Sequence, residues 1–163
     1  MDIKQAIAAS LGQADFLVQI YLADLKQDEL IVRPVIGANP IAWQLGHLIA
    51  AERYVVDKLA PGKADALPAG FADAYGRGKP VSDNSADYKS KEEYLQLMKQ
   101  VRANTLHVVE GLAPAAFDAA VGPGLPPMVK QVGDGFLFIG AHWLSHTGQW
   151  VVTRRKLGRP PLF

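Results

Sequence analysis

Ile7, Leu11, Ala14, Val18, Tyr21 and Leu25 recur at steps of four and three residues. That is the α-helical period, and it predicts an amphipathic helix over residues 2–26. Phe16 and Ile20 lie off the stripe and widen its apolar face. They are available to a second subunit, as in a homodimer. Residues 27–38 read as a connection, with Arg33 pushed to an extended conformation by Pro34. A second helix starts at Asn39, a good N-cap, with Pro40 in the first turn, and runs to Leu59 before Pro61-Gly62. Ile41, Leu45, Leu48 and Val55 form one stripe on it, and Trp43, His47, Ala50, Ala51 and Tyr54 form a neighbouring one.

Residues 60–89 are rich in Gly, Pro, Ala, Ser and Asp and predict no long element. A connection this long inside a compact domain has a job. It can carry the chain back along a helix about 30 Å long, so that the next helix runs parallel to the one before. The third helix starts near Ser90, with Glu93 completing a capping box. Its stripe is Tyr94, Met98, Val101, Thr105, Val108 and Leu112, which leaves His107 on the solvent side. Pro114 opens a short helical turn that reaches Ala119, and Gly122-Pro123-Gly124 and Pro126-Pro127 break the chain again. The fourth helix starts between Gln131 and Gly135 and runs to Leu157, where Gly158 and Pro160-Pro161 end it. No segment shows the alternation of a half-buried strand. The pattern predicts an all-α four-helix bundle with one long crossover between helices two and three, in a single domain over residues 1–163.

Composition narrows the function classes. Apolar residues make up 49% of the 163, charged residues 20%, and the net charge is +1. This is an ordinary globular profile with enough chain for a core. The densest basic run, Arg154-Arg155-Lys156 with Arg159, sits at a helix end where cations suit the dipole, so no nucleic-acid partner is expected. Without cysteine there is no disulfide, no thiolate metal site and no nucleophilic Cys. No secretory signal and no apolar run of membrane-spanning length is read, and a cytoplasmic location is the default expectation.

The candidate chemistry lies in the fourth helix. Phe136-Leu137-Phe138-Ile139 precede and Trp150-Val151-Val152 follow Gly140-Ala141-His142-Trp143-Leu144-Ser145-His146-Thr147-Gly148-Gln149. A helix apolar nearly all round is buried. His142 and His146, four apart, share one face and can grip one ion. Buried imidazoles cost free energy unless satisfied, and either a metal or ordinary hydrogen bonds would do this. His47 lies on the apolar side of the second helix, among small residues that leave room beside it.

Two motifs carry a family resemblance. They are Asn39-Pro40-Ile41-Ala42-Trp43-Gln44-Leu45-Gly46-His47-Leu48 and His142-x-x-x-His146-x-Gly148-Gln149, the latter followed by the ending Leu157-Gly158-Arg159-Pro160-Pro161-Leu162-Phe163. With this order and helical layout the chain resembles the DinB-like family over nearly its whole length. The resemblance implies an up-down-down-up bundle with a divalent metal held by three histidines. The ligand position on helix two matches His47, and the two on helix four match His142 and His146.

Three neutral imidazoles leave coordination positions open, as in a catalytic or adaptable site. Imidazole suits Zn, Ni or Fe, as well as Cu. Gln44 and Gln149 each lie three residues from a histidine and can orient it or a bound water, or simply bond to backbone. Trp43, Tyr54, Trp143 and Trp150 are candidates to line a pocket, with plain core packing as the default for aromatics at helical spacing. Trp-Leu-Ser between the helix-four histidines lacks the glutamate of a HExxH protease. Glu52 points about 140° away from His47 round the helix. No Gly-x-Ser-x-Gly elbow is present. The family resemblance implies a metal-dependent enzyme, a thiol S-transferase or hydrolase, that activates a low-molecular-weight thiol or water for transfer to a small electrophilic substrate. The alternative is a non-catalytic metal-binding bundle serving as a binding or stress-response module.

Overall fold

The computed structural model describes all residues except Arg77, Pro80 and Phe163. Helix α1 spans Ile3–Leu22 and starts where Asp2 accepts a hydrogen bond from the Gln5 backbone N–H (2.9 Å) and Gln5 Oε1 accepts from the Asp2 N–H (3.1 Å). Ile7, Leu11, Ala14, Val18 and Leu22 are its buried face. The helix stops short of the expected residue 26, because its last carbonyls are taken by cations from other helices. Lys91 Nζ donates to the carbonyls of Leu22 (3.2 Å) and Leu25 (2.7 Å), and Arg154 Nη1 donates to that of Tyr21 (2.8 Å). The chain then turns, and Leu25 still enters the core. A 3₁₀ turn follows at Gln27–Ile31.

Helix α2 spans Ile41–Leu59, with Pro40 rather than Asn39 at the N-cap. The Asn39 carbonyl instead accepts from Gln44 Nε2 at 2.7 Å. The crossover carries a single helical turn, α3 (Phe71–Ala74), and a 3₁₀ turn at Ser85–Asp87. Helix α4 (Lys91–Gly111) starts on the expected Ser90 and Glu93 capping box. A 3₁₀ turn at Pro114–Asp118 leads to α5 (Val132–Lys156), where Asp134 Oδ2 accepts from the backbone N–H groups of Lys130 and Gln131 at 3.0 Å. Gly158 ends α5 with φ of 71°. Among the described residues no strand forms. A lone antiparallel bridge joins Ala120 and Gln131.

Side-chain pairings set the helix directions. Ile3 packs by Gly133, and Arg154 binds the Tyr21 carbonyl, so α1 and α5 run parallel. Gln44 meets Trp150, and Leu59 meets Gly135, so α2 opposes α5. Lys91 at the start of α4 binds the end of α1, which makes that pair antiparallel. The bundle is therefore up-down-down-up, and the long crossover is what lets α2 and α4 run the same way.

A polar knot sits at the centre of the core. Glu52 is 2% exposed and accepts from Arg102 Nη2 (2.9 Å), Trp143 Nε1 (2.7 Å) and Thr105 Oγ1 (2.7 Å). It ties α2, α4 and α5 together. Burial pushes the Glu52 carboxyl up, while Arg102, Thr105 and Trp143 pull it down. Buried charge of this kind is tolerated only when its hydrogen-bonding capacity is met. Phe16, outside the core stripe of α1, is 57% exposed. No described helix is long and apolar enough to cross a membrane.

Candidate metal centre

The α5 period stacks His142 and His146 on one face with ring centroids 5.0 Å apart. Across the seam, α2 presents His47 at 5.3 Å from His142 and 5.6 Å from His146, centroid to centroid. One ring nitrogen from each lies within 4.8 Å of the other two. Three nitrogens about 2.0–2.1 Å from a tetrahedral ion stand about 3.3 Å apart, so small rotations of the rings would close the cluster on one ion. All three side chains are partly exposed, which leaves the cluster open on one side. The donor set is all imidazole, and it fits a divalent ion with room for a further ligand.

Hydrogen bonds around the cluster decide which nitrogen faces inward. Gln44 is 1% exposed, and its amide nitrogen donates to the Asn39 carbonyl. Its oxygen therefore faces α5, where it meets His146 Nδ1 at 2.8 Å and Trp150 Nε1 at 2.9 Å. An amide oxygen only accepts, so His146 carries its hydrogen on Nδ1 and keeps the lone pair on Nε2. The same logic applies to His47, whose Nδ1 lies 3.3 Å from the Tyr75 carbonyl oxygen. His142 is set by packing: its ring stacks on Phe138 at 5.4 Å with 19° between planes. Trp43 lies nearly flat against His47, at 5.0 Å and 8°.

The electrostatics favour neutral ligands. Burial, then the neighbouring His47, lowers the pKa of His142 to about 4. Burial, then His142 and His47, lowers that of His146 to about 4. Removing these rings from water disfavours the imidazolium, and the neutral form is the one that ligates.

The structure distributes the sequence candidates unevenly. His47, His142 and His146 come together, with Gln44 bonded to one of them. Trp43 stacks on His47, and Trp150 shares the Gln44 oxygen with His146. Trp143 points the other way, into the core at Glu52. Tyr54, two turns along α2, is 44% exposed and donates to the Gly124 carbonyl at 3.2 Å. Gln149 is exposed. Glu52, set aside as a base from its helical angle, lies in the core with its acceptors used. Two neighbours escaped sequence reasoning. Phe138 lies four residues before His142, a spacing that marks it as a neighbour on the helix face. Tyr75 lies 28 residues from His47 in the crossover, where no periodic signal exists.

The family comparison agrees with this geometry. No curated protein matches the chain. The family model described as the DinB superfamily matches residues 14–150, from the middle of α1 to the Trp150 that shares the Gln44 oxygen with His146. Spanning most of the sequence and all three histidines, that match places this chain in the DinB superfamily.

Proposed function

We propose that this chain is a metal-dependent enzyme that activates a low-molecular-weight thiol, or water, for transfer to a small electrophilic substrate. The observation that carries the reading is the open cluster of His47, His142 and His146, with His142 and His146 held neutral, in a chain that has no cysteine. His47, His142 and His146 would hold the ion, drawn from zinc, nickel or iron. When bound, a divalent ion supplies Lewis acidity, which brings water to a pKa of about 7 in favourable sites and deprotonates a thiol outright. Gln44 holds the His146 ring by its Nδ1–H, so the Nε2 lone pair stays aimed at the cluster. The depressed pKa values of His142 and His146 keep both rings unprotonated at neutral pH. Trp43 and Phe138 flank the histidines with flat apolar surface, which suits an uncharged electrophile better than an ion. With no cysteine in the chain, any thiol arrives as a cosubstrate.

The test is a panel of small thiols against an epoxide or a chloro-nitroaromatic, with metal-loaded wild type and His47→Ala run side by side. Turnover that needs both the thiol and His47 supports the transferase. Turnover with water alone makes the protein a hydrolase. A well-loaded protein that gives neither, and whose cobalt or nickel spectrum no thiol perturbs, overturns the enzyme reading in favour of a non-catalytic metal-binding bundle.

A further inference from the structure

Gly46 stands one residue before His47, at a point where α2 meets the Tyr75 ring. A Cβ built on it would lie 2.4–2.5 Å from three atoms of the Tyr75 ring. Real Cβ atoms do not approach that closely, so only glycine lets this ring rest on the backbone of α2. The ring is held on its other sides as well. Phe71 packs against it at 4.9 Å, and its hydroxyl meets that of Tyr94 on α4 at 2.6 Å. Tyr75 is 6% exposed and caps the C-terminus of α3. Its backbone carbonyl meets His47 Nδ1 at 3.3 Å.

We propose that Tyr75, seated on Gly46, is a positioning residue for the metal site: the crossover presents its carbonyl to His47 and so selects Nε2 as the ligating nitrogen. The proposal rests on the metal reading above and extends it to a segment that contributes no ligand. His146 has a side-chain acceptor in Gln44, whereas His47 depends on a main-chain acceptor from a connection. A main-chain carbonyl is placed only as well as its residue is anchored, which explains a tyrosine fixed on three sides at that point. Partners of this kind set the tautomer and ring orientation of a ligating histidine, and their loss costs roughly ten- to hundredfold in metal affinity.

The test compares wild type with Gly46→Ala, Tyr75→Ala and Gly135→Ala. Tyr75→Ala removes the ring without adding an atom against α2, so it remains informative where Gly46→Ala does not fold. Gly135→Ala is the packing control: a Cβ there meets the Leu59 side chain at 2.5 Å, at the far end of α2 from the cluster. The first readout is the tautomer of each histidine in metal-free protein, from long-range ¹H–¹⁵N correlations above the imidazole titration range. Wild-type His47 is expected as the Nδ1–H form, and that signature is expected to be lost in the Gly46 and Tyr75 variants while His146 keeps its own. The second readout is zinc affinity by competition with a chromogenic chelator, expected to fall roughly ten- to hundredfold in those two variants and to hold in Gly135→Ala. A wild-type His47 hydrogenated on Nε2 overturns the proposal, as do unchanged tautomer and affinity in the folded variants. Equal losses in Gly135→Ala overturn it in favour of general packing. A wild type that binds no zinc, nickel or iron sinks the metal reading instead, and the tautomer measurement still decides whether Tyr75 positions His47.

Discussion

A single side-chain oxygen organises one wall of the histidine cluster. Gln44 Oε1 accepts from both His146 and Trp150, and its geometry depends on the amide nitrogen being tied to Asn39. Gln44→Leu keeps the volume but leaves two donors unpaired, the buried Trp150 Nε1–H and the partly buried His146 Nδ1–H. It is expected to destabilise the fold by about 1–3 kcal/mol and to weaken metal binding roughly ten- to hundredfold, as read by urea denaturation and a chelator titration. The histidines themselves make a pH prediction. The folded pKa of His142 and His146, about 4, lies below the ordinary 6.5, so between these values the unfolded chain binds protons that the folded one does not. Stability is therefore unaffected above pH 6.5, falls as pH drops from 6.5 to 4, and levels off below. Both rings are partly exposed, and solvent screening makes this slope shallower than full burial would give. Metal-free wild type and His142→Asn melted across this range should differ in slope, with the variant flatter; parallel curves would contradict the assignment.

The long helices are joined at their centre by ions as well as by apolar packing. Arg102 reaches from α4 to Glu52 on α2, and also to the Leu11 carbonyl (3.0 Å) on α1, while Trp143 on α5 shares the same carboxylate. Arg102→Leu strips the charge partner from a carboxylate with no access to water. The expected cost is about 3–5 kcal/mol at pH 7. Without Arg102, the Glu52 pKa rises further above its unfolded value, so the penalty is smallest at acidic pH, where the carboxyl is protonated, and grows as pH rises and it ionises. Urea denaturation of wild type and variant at pH 5 and pH 7 should show the gap widening at the higher pH. At the bundle end, Arg154 pairs with Asp24 and Arg159 with Glu29 (2.7 Å), which locks the tail after α5 to the region after α1. Where α1 yields its last turn, Lys91 from α4 and Arg154 from α5 satisfy the carbonyls of Leu22 and Tyr21.

At the scale of the whole molecule, the site sits on the seam between α2 and α5 and needs the bundle to exist. A metal that binds only the folded chain stabilises it by mass action, by about 2.7 kcal/mol at a hundredfold excess over its dissociation constant. For a chain of this size that corresponds to a melting temperature roughly 5–10 °C higher. Adding a strong chelator to loaded wild type should remove the increment, and His142→Ala should barely respond. Equal responses would mean that the chelator acts elsewhere. Ligation needs neutral rings, so the increment should also vanish as the pH falls toward 4.

The helices, their caps at Ser90 and Gly158, the all-α class and the pairing of His142 with His146 follow from local rules that operate within a few residues. Periodicity says which face is apolar, a capping residue says where a helix starts, and a four-residue spacing says which side chains share a face. The length of the crossover also foretold that α2 and α4 run parallel. His47 joined the histidine pair through the family resemblance, and the tertiary structure then brought one ring nitrogen of each to within 4.8 Å of the others. Beyond local reach lay the early end of α1, the role of Gln44 as a shared acceptor, the turning of Trp143 and Glu52 into the core, and the seat of Tyr75 on Gly46. Each depends on groups brought together from distant parts of the chain. A hydrogen-bond donor 28 residues from its acceptor leaves no periodic trace. Which atoms meet across a seam is decided by helix packing, and packing is settled only when all four long helices are in place.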